Sequence, residues 1–187
     1  MKRRRFKTLY LDPPWPERGG GKIRRGANRH YETMSVKEII AMPVGELAED
    51  NAHLYLWVTN NYLEAGLAAM RAWGFRYVTM ITWPKPKMGI GQYFRGKTEH
   101  CLFGVRGNLP YKVAFDKATK KMKRQQGTTL LSVWSSKKHS EKPPEMREII
   151  ERVSYEPRVE LFARARFKGW SAWGNQVKSD IKFLEAV

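Results

Sequence analysis

The strongest candidate for chemistry in the sequence is a run of four residues, Asp12-Pro13-Pro14-Trp15. These residue types suit a reaction at the exocyclic amine of a nucleic-acid base, such as methyl transfer. That amine is a poor nucleophile, because its lone pair is delocalised into the ring. Two acceptors that hold its two hydrogens would favour a tetrahedral nitrogen, and the Asp12 carboxylate and the Pro13 carbonyl can supply them. Proline fixes φ at about −65° and donates no hydrogen bond, so the segment is rigid. Trp15 offers a flat face on which an extracted base can stack.

Asp12 need not act as a strong base in this scheme. Once a methyl group has been transferred, the nitrogen is cationic and acidic, so an ordinary carboxylate can accept its proton directly or through water. Preorganised electrostatics is then the main contribution of Asp12. The competing interpretation of the run is a turn that ends a strand and buries Trp15.

The charge of the chain indicates a polyanionic partner. Thirty-five Lys and Arg residues stand against eighteen Asp and Glu, which gives a net charge of +17. Cations that neutralise phosphates release counterions, so nucleic acid is the natural partner. Three segments carry much of this charge, namely residues 22–25, 85–97 and 117–124. Trp83 adjoins the second of them, and Tyr93 and Phe94 lie within it. Solvated surface charge is the other interpretation of each segment.

Alternating strands and helices must position these residues. Apolar runs predict strands at residues 8–11, 53–59, 76–83, 100–105, 129–134 and 159–163. Helical spacing and end signals predict helices after Ser35, from Asn60 or Asn61 through Trp73, from Pro143 through Val153, and from about Gln176 to the end. Residues 112–124 are expected to form a basic loop or ribbon. The alternation predicts an α/β domain of three layers, with residues 1–187 as one domain and no separate target-recognition domain.

Ligands of such sheets bind beyond the carboxyl ends of the strands. This rule places Asp12, Thr59-Asn60, Trp83-Pro84 and Arg164 near one rim of the sheet.

Composition excludes several classes of protein. Cys101 is the only cysteine, so the chain can form neither an intrachain disulfide nor a zinc site built from several thiolates, and a reducing compartment such as the cytoplasm fits. No apolar run has the length of a membrane span, and no metal site is predicted from the four scattered histidines.

These motifs resemble, in order, those of the MT-A-type adenine methyltransferases, the family of the mRNA adenosine methyltransferases and their short bacterial and phage relatives. The resemblance runs from Leu11 to about Val177. The matching segments are Asp12-Pro13-Pro14-Trp15, residues 31–35 (YETMS), 56–59 (LWVT), Thr82-Trp83 with Lys85, residues 99–107 (EHCLFGVRG), His139 with Lys142-Pro143, residues 160–164 (ELFAR), and 173–176 (WGNQ).

The resemblance implies a Rossmann-like fold that binds S-adenosylmethionine and releases S-adenosylhomocysteine, with a permuted order in which the catalytic motif precedes the cofactor motif. It makes Asp12, Pro13, Pro14 and Trp15 catalytic. It implies a set of cofactor contacts: Asp12, Lys142, Leu161, Phe162, Arg164, Asn175 and Gln176. Within that set Lys142 would approach the cofactor's carboxylate, and Arg164, Asn175 and Gln176 its ribose and adenine. Asn175 and Gln176 also fit an N-cap of the last helix.

Motif positions and basic segments together give the candidate contacts to substrate: Tyr31, Trp83, Lys85, Tyr93, Arg95, Glu99, Lys120, Lys121, Lys123 and Arg124. The expected activity is methylation of the exocyclic amino group of adenine in nucleic acid, with DNA favoured over RNA, by a chain that can form homo- or hetero-oligomers. Two other hypotheses are a non-catalytic nucleic-acid-binding partner subunit on the same fold and a basic binding module without a cofactor. The intact run at residues 12–15 and the ordered cofactor motifs disfavour them.

Overall fold

The computed structural model describes residues 4–16, 33–85, 87–89, 93–133 and 141–182. Within these ranges the chain forms eight strands, which are β1 (Phe6–Leu11), β2 (Ala48–Thr59), β3 (Arg76–Pro84), β4 (Thr98–Arg106), β5 (Val113–Asp116), β6 (Lys121–Arg124), β7 (Arg158–Leu161) and β8 (Trp170–Trp173). The α-helices of the same ranges are α1 (Val36–Ala41), α2 (Val44–Leu47), α3 (Leu63–Ala72) and α4 (Pro144–Val153).

Six strands form one sheet in the order β3-β4-β2-β1-β7-β8. Strands β2, β1, β7 and β8 are parallel, whereas β4 is antiparallel to both of its neighbours, β2 and β3. All strands of this sheet except β4 therefore end at the same edge, which we call the carboxyl edge. The predicted rim is confirmed for Asp12, Asn60 and Pro84, which lie at the ends of β1, β2 and β3.

Helices cover both faces of the sheet, as the three-layer prediction requires. On one face α1, α2 and α3 contribute Ile39, Val44 and Met70 to a core with Leu9 and Leu11 of β1. On the other face Met146 and Ile150 of α4 pack with Tyr10, Tyr55 and Trp57. Alternation along β1 and β2 divides the side chains between the two faces, so each face buries its own apolar layer.

Local signals set the helix ends. Ser35 caps α1 in a capping box, accepting from the Glu38 backbone N–H while the Glu38 carboxylate accepts from the Ser35 backbone N–H. Gly74 follows α3 with φ of +81°, a conformation that glycine adopts without a steric penalty. Gly66 lets α3 lie close to β2, because an added Cβ would come within 2.5 Å of Val58 Cγ1.

The structure corrects two predicted elements. Of the strand predicted at residues 129–134, residues 129–133 do not form a strand, since Leu130 makes only an isolated bridge to Thr82, and Trp134 lies outside the described residues. No helix begins at Gln176 within the described residues, because residues 174–182 form turns and bends after β8. Strand β8 itself was not predicted. Trp170 and Trp173 bound a run of only four residues, too short for alternation to stand out.

Strands β5 and β6 form a separate two-stranded hairpin, as the predicted ribbon requires. None of the helices in the described ranges is long and apolar enough to cross a lipid bilayer.

Candidate active site

Asp12 and Lys142 form the centre of the site at the carboxyl edge. Asp12 is the first residue after β1, and Lys142 comes two residues before α4. The Lys142 Nζ lies 2.8 Å from Asp12 Oδ1 and 2.9 Å from Oδ2. The two side chains are only 24% and 15% exposed, so the pair sits in a recess where water screens it weakly.

Glu99 extends this pair into a cluster of four charges. Its Oε2 lies 3.3 Å from Lys142 Nζ, and its Oε1 accepts a hydrogen bond from Lys85. Sheet register places it there, since Glu99 at the start of β4 lies opposite Thr59 of β2 and Trp83 of β3. We call Asp12, Lys85, Glu99 and Lys142 the charged cluster, and its formal charges cancel.

The pKa values of the cluster follow from this pairing. Burial alone would raise the pKa of Glu99, but the ammonium groups of Lys142 and Lys85 outweigh it and hold that pKa below its usual value. Burial would lower the pKa of Lys142, but Asp12 and Glu99 outweigh it and raise that pKa. Lys142 is therefore a fixed cation and Glu99 a fixed anion at neutral pH.

Pro13 is buried and Pro14 is half-buried, and the carbonyl of each already accepts one backbone hydrogen bond. The Pro13 carbonyl accepts from the Trp15 backbone N–H at 2.8 Å, and the Pro14 carbonyl accepts from the Met34 N–H at 3.0 Å. A carbonyl oxygen has two lone pairs, so each can accept a second hydrogen bond. The proposed role of Pro13 as an acceptor for the amine is compatible with this geometry.

The structure places Trp15 in the core, which corrects its predicted role as a stacking surface for a base. The side chain is 6% exposed and its ring stacks on Tyr62, with centroids 5.5 Å apart. Its indole N–H donates to the Trp57 carbonyl at 2.8 Å. The competing interpretation of a buried Trp after a strand-ending turn is therefore correct for this side chain.

Trp83, a predicted contact to substrate, is also buried, so its side chain offers no exposed surface for that contact. It is 1% exposed and donates its indole N–H to the Val133 carbonyl at 3.1 Å. Lys85 Nζ lies 5.4 Å from the centroid of its ring, and Lys142 Nζ lies 5.4 Å from that of Trp57. The two indoles, 6.1 Å apart, thus form the apolar floor beneath the two lysines.

The predicted cofactor residues other than Asp12 and Lys142 follow β7 and β8. Leu161 is fully buried, so only its backbone can face a ligand. Phe162 has φ of +64° and packs edge-on against Trp173, at a centroid distance of 5.4 Å. Three polar members of the set are exposed on the turns that follow these strands: Arg164, Asn175 and Gln176. Their position at the carboxyl edge brings them to the same side of the sheet as Asp12.

The predicted nucleic-acid contacts separate in space. Tyr93 is fully exposed, while Arg95 donates to the carbonyls of Gly89 and Met88 in its own loop. Tyr31 lies outside the described residues. The hairpin that carries Lys120, Lys121, Lys123 and Arg124 does not adjoin the charged cluster, because it follows β4 at the edge opposite Asp12.

Sequence reasoning did not assign a role to His100. Its Nε2–H donates to Asn60 Oδ1 at 2.7 Å, and its Nδ1 accepts from Thr82 Oγ1 at 3.1 Å. Burial lowers the pKa of His100, although the neighbouring Glu99 opposes the shift. The neutral ring therefore ties the ends of β2 and β3 to the start of β4, and its place in the EHCL segment was the only signal.

A helix-covered sheet with a charged cluster at the carboxyl ends of its strands places the chain among the α/β domains that bind ligands at this edge. The profile of the MT-A70 family matches residues 6–176, and the chain belongs to this family of S-adenosylmethionine-dependent methyltransferases.

Relatives from three groups of organisms match most of the chain. The Type II methyltransferase M.MunI of Mycoplasma sp is 25% identical over 198 residues, which cover 95% of this chain and 80% of that protein. The probable N(6)-adenosine-methyltransferase MT-A70-like protein of Oryza sativa subsp. japonica is 30% identical over 92% of this chain. The human N(6)-adenosine-methyltransferase catalytic subunit METTL3 is 29% identical over 92% of it. The chain spans only 23% and 28% of the length of the latter two proteins.

Proposed function

We propose that this chain transfers a methyl group from S-adenosylmethionine to the exocyclic amino group of adenine in nucleic acid, with DNA favoured over RNA. One observation carries the proposal. The carboxylate of Asp12 lies at the end of β1 beside two prolines, and it forms an ion pair with Lys142. This is an acceptor fixed in place before any substrate arrives, as electrostatic preorganisation requires.

The amine would be held by two acceptors of this chain. Asp12 takes one hydrogen and a proline carbonyl takes the other, so the nitrogen lone pair becomes localised. Lys142 Nζ contacts both oxygens of the Asp12 carboxylate, and each oxygen keeps a lone pair that can accept a hydrogen bond from the amine. When the nitrogen becomes cationic, Asp12 attracts it and accepts its proton directly or through water.

The residues at the carboxyl edge suit S-adenosylmethionine by the chemistry of their donors. Lys142 can pair with a carboxylate, Asp12 with a cationic group, and the exposed amides of Asn175 and Gln176 with hydroxyls and ring nitrogens. Arg164 and the backbone of Leu161 and Phe162 complete the proposed site. When bound, the cofactor supplies an activated methyl group.

Names of the relatives support adenine as the base, since the plant and human proteins are N(6)-adenosine-methyltransferases. The net charge of +17 supports a nucleic-acid substrate. The resemblance to short microbial members, together with 80% coverage of the Type II methyltransferase, favours DNA. The reducing cytoplasm, where nucleic acid and methyl donor meet, is the location that suits this activity.

The test is a transfer assay with donor labelled in its methyl group. Purified protein is incubated with duplex DNA, single-stranded DNA and RNA, and the product is digested to nucleosides and identified. The expected product is N6-methyladenine in DNA. Label in another nucleoside would overturn the proposed base, and more label in RNA would overturn the preference. If wild type binds the donor but its turnover does not exceed that of Asp12→Ala, the chain is instead a non-catalytic partner subunit.

A further inference from the structure

The hairpin of β5 and β6, with its turn at residues 117–120, stands apart from the main sheet, and we call it the ribbon. Register pairs Val113 with Arg124 and Phe115 with Met122, so these four side chains share one face. Ala114, Asp116, Lys121 and Lys123 share the other. All the residues of the two strands except Asp116 are exposed, so both faces of the ribbon are open.

The open faces combine apolar and cationic side chains. Val113, Phe115 and Met122 are 47%, 60% and 65% exposed, an unusual level for neighbouring apolar side chains. Five cations lie on the strands and turn, against Asp116 as the one acid: Lys117, Lys120, Lys121, Lys123 and Arg124. This combination is typical of surfaces that contact nucleic acid, where cations bind phosphates and apolar groups face bases.

The ribbon is organised before any partner binds. Asp116 Oδ1 accepts from the backbone N–H groups of Ala118 and Thr119, at 2.9 and 3.3 Å, which fixes the turn. At the base, the Lys112 backbone N–H donates to the Val153 carbonyl at 2.8 Å. A fixed turn and an anchored base reduce the entropy that binding would cost.

Beside the ribbon the surface has a hollow of about 340 Å³. Three cations and two amides line it together with Asp116, namely Lys123, Arg124, Arg152, Gln125 and Gln126. These groups are donors that suit phosphate oxygens. The chemistry of this lining therefore suits a phosphate group at the foot of the ribbon.

We propose that the ribbon is a DNA-binding element that lies in the major groove of B-form duplex. Phe115 and Met122 face the base edges, and Arg124 on the same face and the turn lysines Lys117 and Lys120 contact the phosphates. The major groove of B-DNA, about 12 Å wide, admits a two-stranded β-ribbon. A-form RNA has a deep and narrow major groove that side chains cannot read, so the shape selects DNA. A second copy of the ribbon is excluded as the occupant because its own cations would repel these.

The ribbon and the charged cluster lie at opposite edges of the sheet, separated by about the length of β4. Nine residues of strand span about 30 Å, close to the 34 Å of one turn of B-DNA. Residues 125–131 run from the ribbon over α4, where Gly127 approaches Ile149, to the bridge between Leu130 and Thr82. A duplex held by the ribbon can thus extend along this face toward Asp12. This inference rests on the proposed function only in taking nucleic acid as the substrate.

The test measures binding of a labelled 20-base-pair DNA duplex by fluorescence anisotropy, without methyl donor, at several salt concentrations. Phe115→Ala with Met122→Ala is expected to weaken duplex binding at least about fivefold, through loss of apolar contact with the bases. Lys117→Ala with Arg124→Ala, which removes a cation of the turn and the cation on the face of Phe115 and Met122, is expected to lower the salt slope by about 1.8, or ~0.9 for each phosphate contact. The matched control is Lys37→Ala with Arg71→Ala, two exposed cations on the helices of the opposite face, which should leave the slope unchanged.

A second pair of variants separates shape from charge. Asp116→Ala and Asp116→Asn raise the net charge equally, but only asparagine keeps an acceptor for the turn. Asp116→Ala is expected to bind duplex more weakly than wild type, and Asp116→Asn at least as tightly. Equal gains in duplex affinity for both variants would show that affinity depends on net charge alone, and would overturn the proposed role of the ribbon in DNA binding.

The remaining outcomes are equally decisive. Ribbon variants that bind duplex like the Lys37 and Arg71 control, or a wild type that prefers an RNA duplex of the same sequence, would overturn the inference. Transfer assays on the same DNA keep the two proposals distinguishable. If the ribbon variants bind DNA more weakly but wild type does not methylate it, only the proposed function is refuted. If wild type methylates DNA and the ribbon variants bind it as tightly as wild type does, only the proposed role of the ribbon is refuted.

Discussion

Lys142 holds both oxygens of Asp12, at 2.8 and 2.9 Å, although 130 residues separate the two in sequence. The lysine precedes α4 on one face of the sheet, and the aspartate ends a central strand. Their contact fixes the carboxylate that the proposed chemistry needs. It also links the proposed catalytic motif at residues 12–15 to the Lys142-Pro143 segment, which resembles the family in sequence.

Replacing Asp12 by alanine should reduce methyl transfer by about 10²–10³-fold or more, because an oriented contact to the reacting amine is lost. Cooperative unfolding should persist, since Asp12 lies beyond the strand and outside the apolar layers. Labelled-donor turnover measures the rate. Asp50→Ala, which removes a surface carboxylate paired with Arg5, is the matched control and should retain wild-type turnover. An Asp12→Ala rate within threefold of wild type would contradict the catalytic assignment.

Replacing Lys142 by methionine should destabilise the fold by roughly 2–3 kcal/mol, because Asp12 loses its cation in a recess. The value lies below that for a fully buried pair, since Asp12 remains 24% exposed. Donor binding should weaken as well if Lys142 holds the cofactor. Denaturant titration and calorimetry measure the two effects. Lys123→Met, which breaks only an exposed 3.8 Å pair, should cost no more than about 0.5 kcal/mol.

The pairing of Glu99 predicts a dependence of stability on pH. Its pKa is lowered in the folded state, so its contribution is present above the unfolded value of about 4.3 and is lost as pH falls through the folded value. The melting temperature of wild type should therefore fall more steeply below about pH 4.3 than that of Glu99→Gln. Parallel curves for the two proteins between pH 6 and pH 3 would show that the pair adds no stability.

Trp15→Ala should act on stability rather than on base capture. Removal of a buried indole typically costs about 3–5 kcal/mol. Trp15→Phe keeps a ring against Tyr62 but removes the N–H donor to the Trp57 carbonyl, at a cost of about 1–3 kcal/mol. Chemical denaturation measures both, and nucleic-acid affinity of the folded Phe variant should stay close to wild type. A stable Phe variant with lost affinity would restore the stacking role.

Asn175→Ala combined with Gln176→Ala should raise the dissociation constant of S-adenosylmethionine and leave the melting temperature unchanged, because both side chains are exposed on a turn. Calorimetric titration of the donor tests this. Asn108→Ala, an exposed asparagine at the opposite edge of the sheet, should bind the donor normally. Unaltered affinity in the double variant would remove these two residues from the proposed cofactor site.

Local patterns in the sequence were enough for the class of fold. Short apolar runs such as residues 8–11 and 53–59 favour strands buried between helices. The apolar spacing of α3 and the capping box at Ser35 are short-range signals of helices. The rule that ligands lie beyond strand ends then predicted that Asp12 lies at the carboxyl edge, which is where the structure has it. The predicted helix that the described residues 176–182 do not form, and the unpredicted β8, fall where segments are short and tertiary pairing overrides local preference.

The sequence by itself determined the family, the charge and the motif at residues 12–15, because these depend on residue types and order alone. Only the tertiary structure decided what each side chain faces. It buried Trp15 and Trp83, and it brought Lys142 and Glu99 onto the site of Asp12 from distant segments. It also moved the ribbon to the far edge, since the reversed direction of β4 carries the following residues away from the charged cluster. Strand direction and sheet order are set by packing between distant segments, which no local pattern encodes.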